Sequence, residues 1–128
     1  MITQKPWGTY EVLLDEPTYK VKRLVLHPYQ QFSLQYHNHR EEHWAVVAGS
    51  GTILVGEMLE ESFIGSFWVI PKKTLHRATA GADGLVFIET QVGDCYEEDI
   101  VRIEDDYGRG GQSISFLCIL HTMVTLKE

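Results

Sequence analysis

An all-β, single-domain fold is what this sequence predicts, on three observations. Apolar and polar residues alternate in almost every segment, no stretch of about ten residues carries helical spacing, and turn residues separate most of the alternating runs. The length of 128 residues fits one domain with one core. Taken in order, strands are expected over Gly8–Leu14, Tyr19–Leu26, Gln31–His39, His43–Ala48, Gly51–Val55, Glu61–Ile64, Phe67–Ile70, His76–Thr79 and Leu85–Val92. Pro17, Pro28, Gly49, Gly56, Gly65, Pro71 and Gly84 punctuate them. Many short strands of this kind suit a barrel or a sandwich. Glu97 to Asp106 reads either as a short helix, from its acidic first turn, or as a last extended segment. After Gly110-Gly111 comes Phe116 to Leu126, β-prone, nearly uncharged and poor in turn signals. Such a segment has to be covered, paired on a sheet edge or exchanged with a second copy. The expected division is therefore a barrel over residues 1–109 and an added strand or swapped arm over 110–128.

The chain carries 11 Lys and Arg against 18 Asp and Glu, a net charge of −7. That balance argues against a nucleic-acid role, which draws on clustered excess cations. No run approaches the about 20 apolar residues of a membrane helix, and the first residues resemble no signal peptide, so a cytoplasmic location is expected. Cys95 and Cys118 sit in dissimilar contexts without C-x-x-C spacing, and both are read as free thiols.

Four of the six histidines fall in two short segments. In a strand, side chains repeat every two residues, so His37 and His39 share a face with Ser33 and Gln35. If the chain turns at Arg40-Glu41 and returns as an adjacent strand, Glu42 supplies a third donor, with His43 as a rival for that position. Farther on, Gly65 to His76 reads as a strand, a proline-led turn and a new strand with His76 at its mouth. Three imidazoles and one carboxylate suit a borderline divalent ion: zinc first, with manganese, iron, cobalt or nickel as alternatives.

His37, His39, Glu42 and Gly49, followed by Gly65, Pro71 and His76, resemble the paired motifs of the cupin superfamily. Lys5-Pro-Trp-Gly-Thr-Tyr10, Tyr19-Lys-Val-Lys-Arg23, Leu34 to Trp44, Ile88 to Gly93, Glu98 to Arg102 and Asp106-Tyr-Gly-Arg109 narrow the resemblance. They are similar to the cupin domain of type II mannose-6-phosphate isomerases, over Lys5 to Arg109. Two glycines usual in that family are Tyr29 and Lys73 here, so two turns are made without the most permissive residue. The segment after Arg109 has no counterpart in the family pattern.

The resemblance implies a double-stranded β-helix, or jelly-roll barrel, with a metal on His37, His39, Glu42 and His76. It also implies isomerisation of mannose 6-phosphate to fructose 6-phosphate, in which a divalent ion stabilises charge on two neighbouring oxygens. Alternatives are a non-catalytic cupin that binds metal and sugar, or a cupin with oxygenase or decarboxylase chemistry. A sugar phosphate asks for cations near the metal; Arg40, Arg77, Arg102 and Arg109 are the candidates, with Gln35 for a sugar hydroxyl. Strand alternation points Arg77 away from His76, so its access needs a twist or bulge. For the base, Glu89, His43, Asp99 and a metal-bound hydroxide are open; Glu89 lies in an apolar strand where an inward carboxylate has a raised pKa. A homodimer is expected from the resemblance and the apolar tail.

Overall fold

The computed structural model describes Met1–Gly108. Arg109, Cys118 and the apolar segment 110–128 lie outside the described residues. Nine strands form within them: β1 Ile2–Lys5, β2 Gly8–Asp15, β3 Tyr19–Leu26, β4 Leu34–Tyr36, β5 Arg40–Val55, β6 Met58–Ser62, β7 Phe67–Ile70, β8 His76–Gly93 and β9 Val101–Glu104. No helix among these residues is long and apolar enough to cross a membrane.

The structure departs from the sequence reading chiefly where glycines were taken as turns. Gly49 to Gly51 does not end a strand but bulges one, and two expected strands fuse into β5; likewise two fuse into β8. β5 and β8 then pair antiparallel from Arg40↔Gly93 to Val55↔His76, with register shifts between Val46 and Ala48 and between Gly49 and Gly51. A side chain at Gly49 would meet the Gly84 carbonyl oxygen at 2.1 Å, and one at Gly51 the Thr79 carbonyl oxygen at 2.1 Å, so the bend needs both glycines. The fold follows from this bent ladder. One half of the sheet runs β1-β2-β3-β8-β5-β7 and the other β9-β4-β8-β5-β6, each long strand contributing a different half of itself to each. Glu97 to Asp106 resolves as turns followed by extended β9, which pairs with β4.

The inward residues change character at one level on all three central strands. β3 reads Leu26, Leu24, Lys22, Lys20; β8 reads Leu85, Phe87, Glu89, Gln91; β5 reads Val46, Trp44, Glu42, Arg40. The register places Leu24 beside Phe87 and Val46, then Lys22 beside Glu89 and Trp44, then Lys20 beside Gln91 and Glu42. One end of the barrel is therefore packed with Leu24, Leu26, Phe32, Val46, Ile53, Ala78, Leu85 and Phe87. The other end is polar and buried. A smaller cluster of Leu34, Leu54 and Ile103 packs separately.

Tyr29 and Lys73, which replace the usual turn glycines, both adopt φ 62°. Left-handed backbone costs a non-glycine residue about 1–2 kcal/mol, partly offset by the extra freedom glycine has when unfolded. Tyr29 is 72% exposed, so its side chain gives little back. Tyr29→Gly and Lys73→Gly should each stabilise the fold by about 0.5–1 kcal/mol in urea melts. Phe87→Ala, in the apolar end, should cost about 3–5 kcal/mol in the same measurement.

Candidate metal centre and its cavity

Three of the four expected metal ligands meet. One nitrogen each from His37 and His76 and one oxygen of Glu42 lie within 4.8 Å of one another, and all three residues are buried. Glu42 is 1% exposed; its Oε2 is 3.3 Å from His37 Nε2 and its Oε1 is 3.6 Å from His76 Nε2. The imidazoles are fixed from behind. His37 Nδ1 lies 2.6 Å from the Asp99 carbonyl oxygen and His76 Nδ1 lies 2.9 Å from that of Thr74. Carbonyls only accept, so each Nδ1 carries the proton and each Nε2 presents its lone pair to the centre. Burial lowers His76 to about 4. Burial, then the neighbouring His76 and Arg40, lower His37 to about 3. Both rings are therefore neutral at pH 7, the state a metal ligand requires. His76 Nε2 is buried without a hydrogen-bond partner among the described residues. An orphaned lone pair beside a carboxylate and a second imidazole fits a divalent ion.

His39 does not join them. The strand ends at Tyr36, and the Asp99 carboxylate accepts hydrogen bonds from the backbone N–H of both Asn38 and His39 at 2.9 Å, bending the chain there. The two-residue alternation breaks at that bend. His39 turns to the surface, its ring 5.8 Å from that of Tyr96, and Arg40 goes inward in its place. Arg40 donates from Nε to Glu42 Oε2 at 2.8 Å and its Nη2 is 3.3 Å from His37 Nε2. His43, the rival third ligand, pairs with Glu41 at 2.7 Å and is not part of the group.

The expected ligand-binding residues divide in the same way. Gln35, Arg40, Arg102 and Glu89 line one cavity together with His37, Lys5, Lys22, Tyr10 and Glu97. Gln35 stands in register with both His76 and Arg102. Arg77 does not reach it. The ladder is regular where Leu54 faces Arg77 and Val55 faces His76, so no bulge redirects the side chain. Its guanidinium instead donates to the carbonyl oxygens of Phe32 at 2.9 Å and Glu104 at 3.0 Å. Arg109 lies outside the described residues. Glu89 points inward and is 5% exposed; burial and the charge of Glu42 push its carboxyl up to about 7. Trp44 Nε1 lies between the two carboxylates, 3.2 Å from Glu42 Oε1 and 3.1 Å from Glu89 Oε1.

Sequence reasoning does not single out Trp44, Lys20, Lys22 or the structural part played by Asp99. The lysines were legible, because Lys20, Lys22, Leu24 and Leu26 share one face at period two. Asp99 gave no local signal; its partners are 60 and 61 residues away.

A bent-ladder barrel with a buried histidine–glutamate group opening on a cavity defines the cupin class of proteins. Solved structures agree on the fold. An RmlC-like cupin from Shewanella frigidimarina superposes with a TM-score of 0.70 at 17% identity, covering 77% of this chain and 86% of that one. KdgF from Halomonas sp. gives 0.71 at 14% identity, covering 77% and 89%. Within that class, the chain belongs to the family described as Mannose-6-phosphate isomerase C-terminal, which it matches over residues 2–105. The Xanthan biosynthesis protein XanB of Xanthomonas campestris is 39% identical over 107 residues, 82% of this chain but 23% of that protein. A mannose-1-phosphate guanylyltransferase of Escherichia coli is 37% identical over 109 residues, with the same two shares. This chain thus spans less than a quarter of the length of the curated relatives it matches.

These relatives correct the expected activity. These two relatives are named for xanthan biosynthesis and for mannose-1-phosphate guanylyl transfer, and the match covers less than a quarter of each, so isomerisation of mannose 6-phosphate does not follow from the family. The physical reason is general: one barrel and one donor set serve many reactions, and neither specifies which bond changes.

Asp99 should matter for stability as well as for the bend. Burial alone would raise its pKa, but hydrogen bonds from the Asn38 and His39 amides leave it lowered. A lowered folded-state pKa contributes stability that is present above the unfolded value and is lost as pH falls through the folded one. Asp99→Asn should therefore cost about 2–3 kcal/mol at pH 7, and the difference from wild type should shrink in urea melts as pH falls below about 4, the ordinary aspartate value.

Proposed function

We propose that this chain is a divalent-metal-binding cupin domain whose cavity takes a small anionic sugar, of the hexose-phosphate class. The observation that carries the reading is the group formed by His37, Glu42 and His76, with its unpartnered, buried His76 Nε2. Two neutral imidazoles and a carboxylate suit zinc first, and manganese, iron, cobalt or nickel after it. Gln35, in register with His76, is the neighbouring side chain placed to orient a ligand or accept a sugar hydroxyl. A bound ion would supply Lewis acidity toward the oxygens of a polyol.

The anion preference rests on charge. Lys5, Lys22, Arg40 and Arg102 line the cavity against Glu89 and Glu97, a local positive excess in a chain of net charge −7. Arg40 is buried and Arg102 partly so, and planar guanidinium groups beside ammonium groups suit phosphate oxygens. The relatives named for mannose 1-phosphate chemistry support a hexose phosphate over other anions. For assembly we propose a homodimer, supported by the solvent-facing Phe67, Val69 and Val92 on β7 and β8. Exposed apolar surface of this kind is what a second copy covers.

Equilibrium dialysis of the chain against zinc and manganese tests the metal. One ion per chain is expected, with a raised melting temperature, and Glu42→Gln and His76→Ala should each weaken binding by about 100-fold or more. His39→Ala should leave binding unchanged. Stoichiometric binding that survives Glu42→Gln overturns the assignment. Sedimentation velocity that gives a concentration-independent monomer overturns the dimer.

A further inference from the structure

We propose that Lys22, which lines the cavity, and Lys20, two residues before it on the same face of β3, form a phosphate-binding subsite, and that Glu97 occupies this subsite as an internal stand-in which an incoming phosphate displaces. The proposal rests on the anionic-ligand reading above and names the groups that would carry it.

The two lysines sit at i and i+2 on the inner face of β3, 9% and 5% exposed. Lysine is seldom buried so far without a counter-charge, because its ammonium loses hydration. Both ammonium groups find the same one: Lys20 Nζ is 3.5 Å and Lys22 Nζ 2.6 Å from Glu97 Oε1. Lys22 also stands 4.3 Å from the centre of the Tyr10 ring, and Lys5 lines the same cavity. A single carboxylate oxygen thus carries the attraction of two buried cations, and the Arg40 guanidinium acts on the same carboxylate. A phosphate, with three acceptor oxygens and up to two charges, matches that set better than one carboxylate does.

The cations and the anion are held differently. The lysines belong to a strand paired on both sides, with β2 and β8. Glu97 comes from the connection between β8 and β9, outside any strand, and its side chain is 49% exposed. Moving Glu97 outward costs a loop rearrangement, whereas moving a lysine costs the barrel wall. The fixed carboxylate beside Lys22 in the sheet is Glu89, itself shared with Trp44 and Gln91. Because Lys22 and His37 line one cavity, a phosphate on the lysines leaves the rest of a sugar facing the histidine–glutamate group.

Inorganic phosphate is the probe, titrated calorimetrically at pH 7 into the metal-free and the zinc-loaded chain. Glu97→Gln should bind phosphate about tenfold more tightly than wild type, since it removes the competitor from the subsite. Glu98→Gln, a neighbouring exposed carboxylate, should bind as wild type does. Lys22→Gln and Lys20→Gln should each lose about tenfold or more. If Glu97→Gln behaves like Glu98→Gln while wild type binds phosphate, the stand-in role is overturned and the anionic-ligand reading survives. If binding occurs only with zinc and ignores the lysine variants, phosphate sits on the metal and the subsite is overturned. If no form binds phosphate, the anionic-ligand reading falls and takes the subsite with it. Because the Glu97 side chain is half exposed, its variant keeps the core intact and the outcome legible even if a lysine variant unfolds.

Discussion

The polar end of this barrel is organised around one buried carboxylate. Glu42 is 1% exposed, and an ionised carboxylate at that depth is stable only if cations and hydrogen-bond donors replace the water it has lost. Arg40 and Trp44 supply donors from its own strand, at 2.8 Å and 3.2 Å, while His37 and His76 approach from β4's exit and the start of β8. Each of those partners is in turn fixed from behind. The Asp99 and Thr74 carbonyl oxygens set the two rings, and the Asp99 carboxylate bends the chain that delivers both His37 and Arg40. Loosening any of these leaves the central carboxylate less well compensated, so residues far apart in sequence are linked through one network.

The apolar end makes this arrangement affordable. Leu24, Phe87, Val46 and their neighbours exclude water directly beneath the carboxylates, and the β5–β8 ladder holds both levels in register. Trp44 sits at the boundary, its ring tilted 33° against that of Phe87 with centroids 4.6 Å apart and its N–H directed to two carboxylates. Low dielectric below and charge above also explain the ionisation pattern. Burial lowers His37 and His76 and raises Glu89, so the cavity presents one neutral imidazole, His37, and a carboxyl poised near neutrality, with His76 buried behind. The same cavity carries lysines and arginines along its other walls, so one opening faces both a donor cluster and a positive field.

The alternation of side chains by itself determined much of this. Tyr19–Leu26 and Phe67–Ile70 are strands with the boundaries the pattern predicts, because period two is set by the backbone and survives any packing. His37, Glu42 and His76 were legible as a group because their spacing repeats a known motif, and Arg77 was legible as pointing away for the same periodic reason. Tyr29 and Lys73 were legible as turn positions normally held by glycine, and both adopt left-handed backbone.

What only the tertiary structure decided were the features that depend on contacts between distant segments. Glycine in a strand can end it or bulge it, and the choice at Gly49 to Gly51 was made by the close approach of Gly84 and Thr79. His39 was excluded, and Arg40 admitted, by a carboxylate some 60 residues later that captured two backbone amides. Glu97 lay in a segment readable as helix or strand, and its place on Lys20 and Lys22 arose from the path of a connection that sequence leaves open. Local periodicity fixes which face a residue takes while the strand lasts. Where the strand stops, and what then meets across the barrel, is set by long-range hydrogen bonds and charge pairing, which leave no periodic trace in the chain.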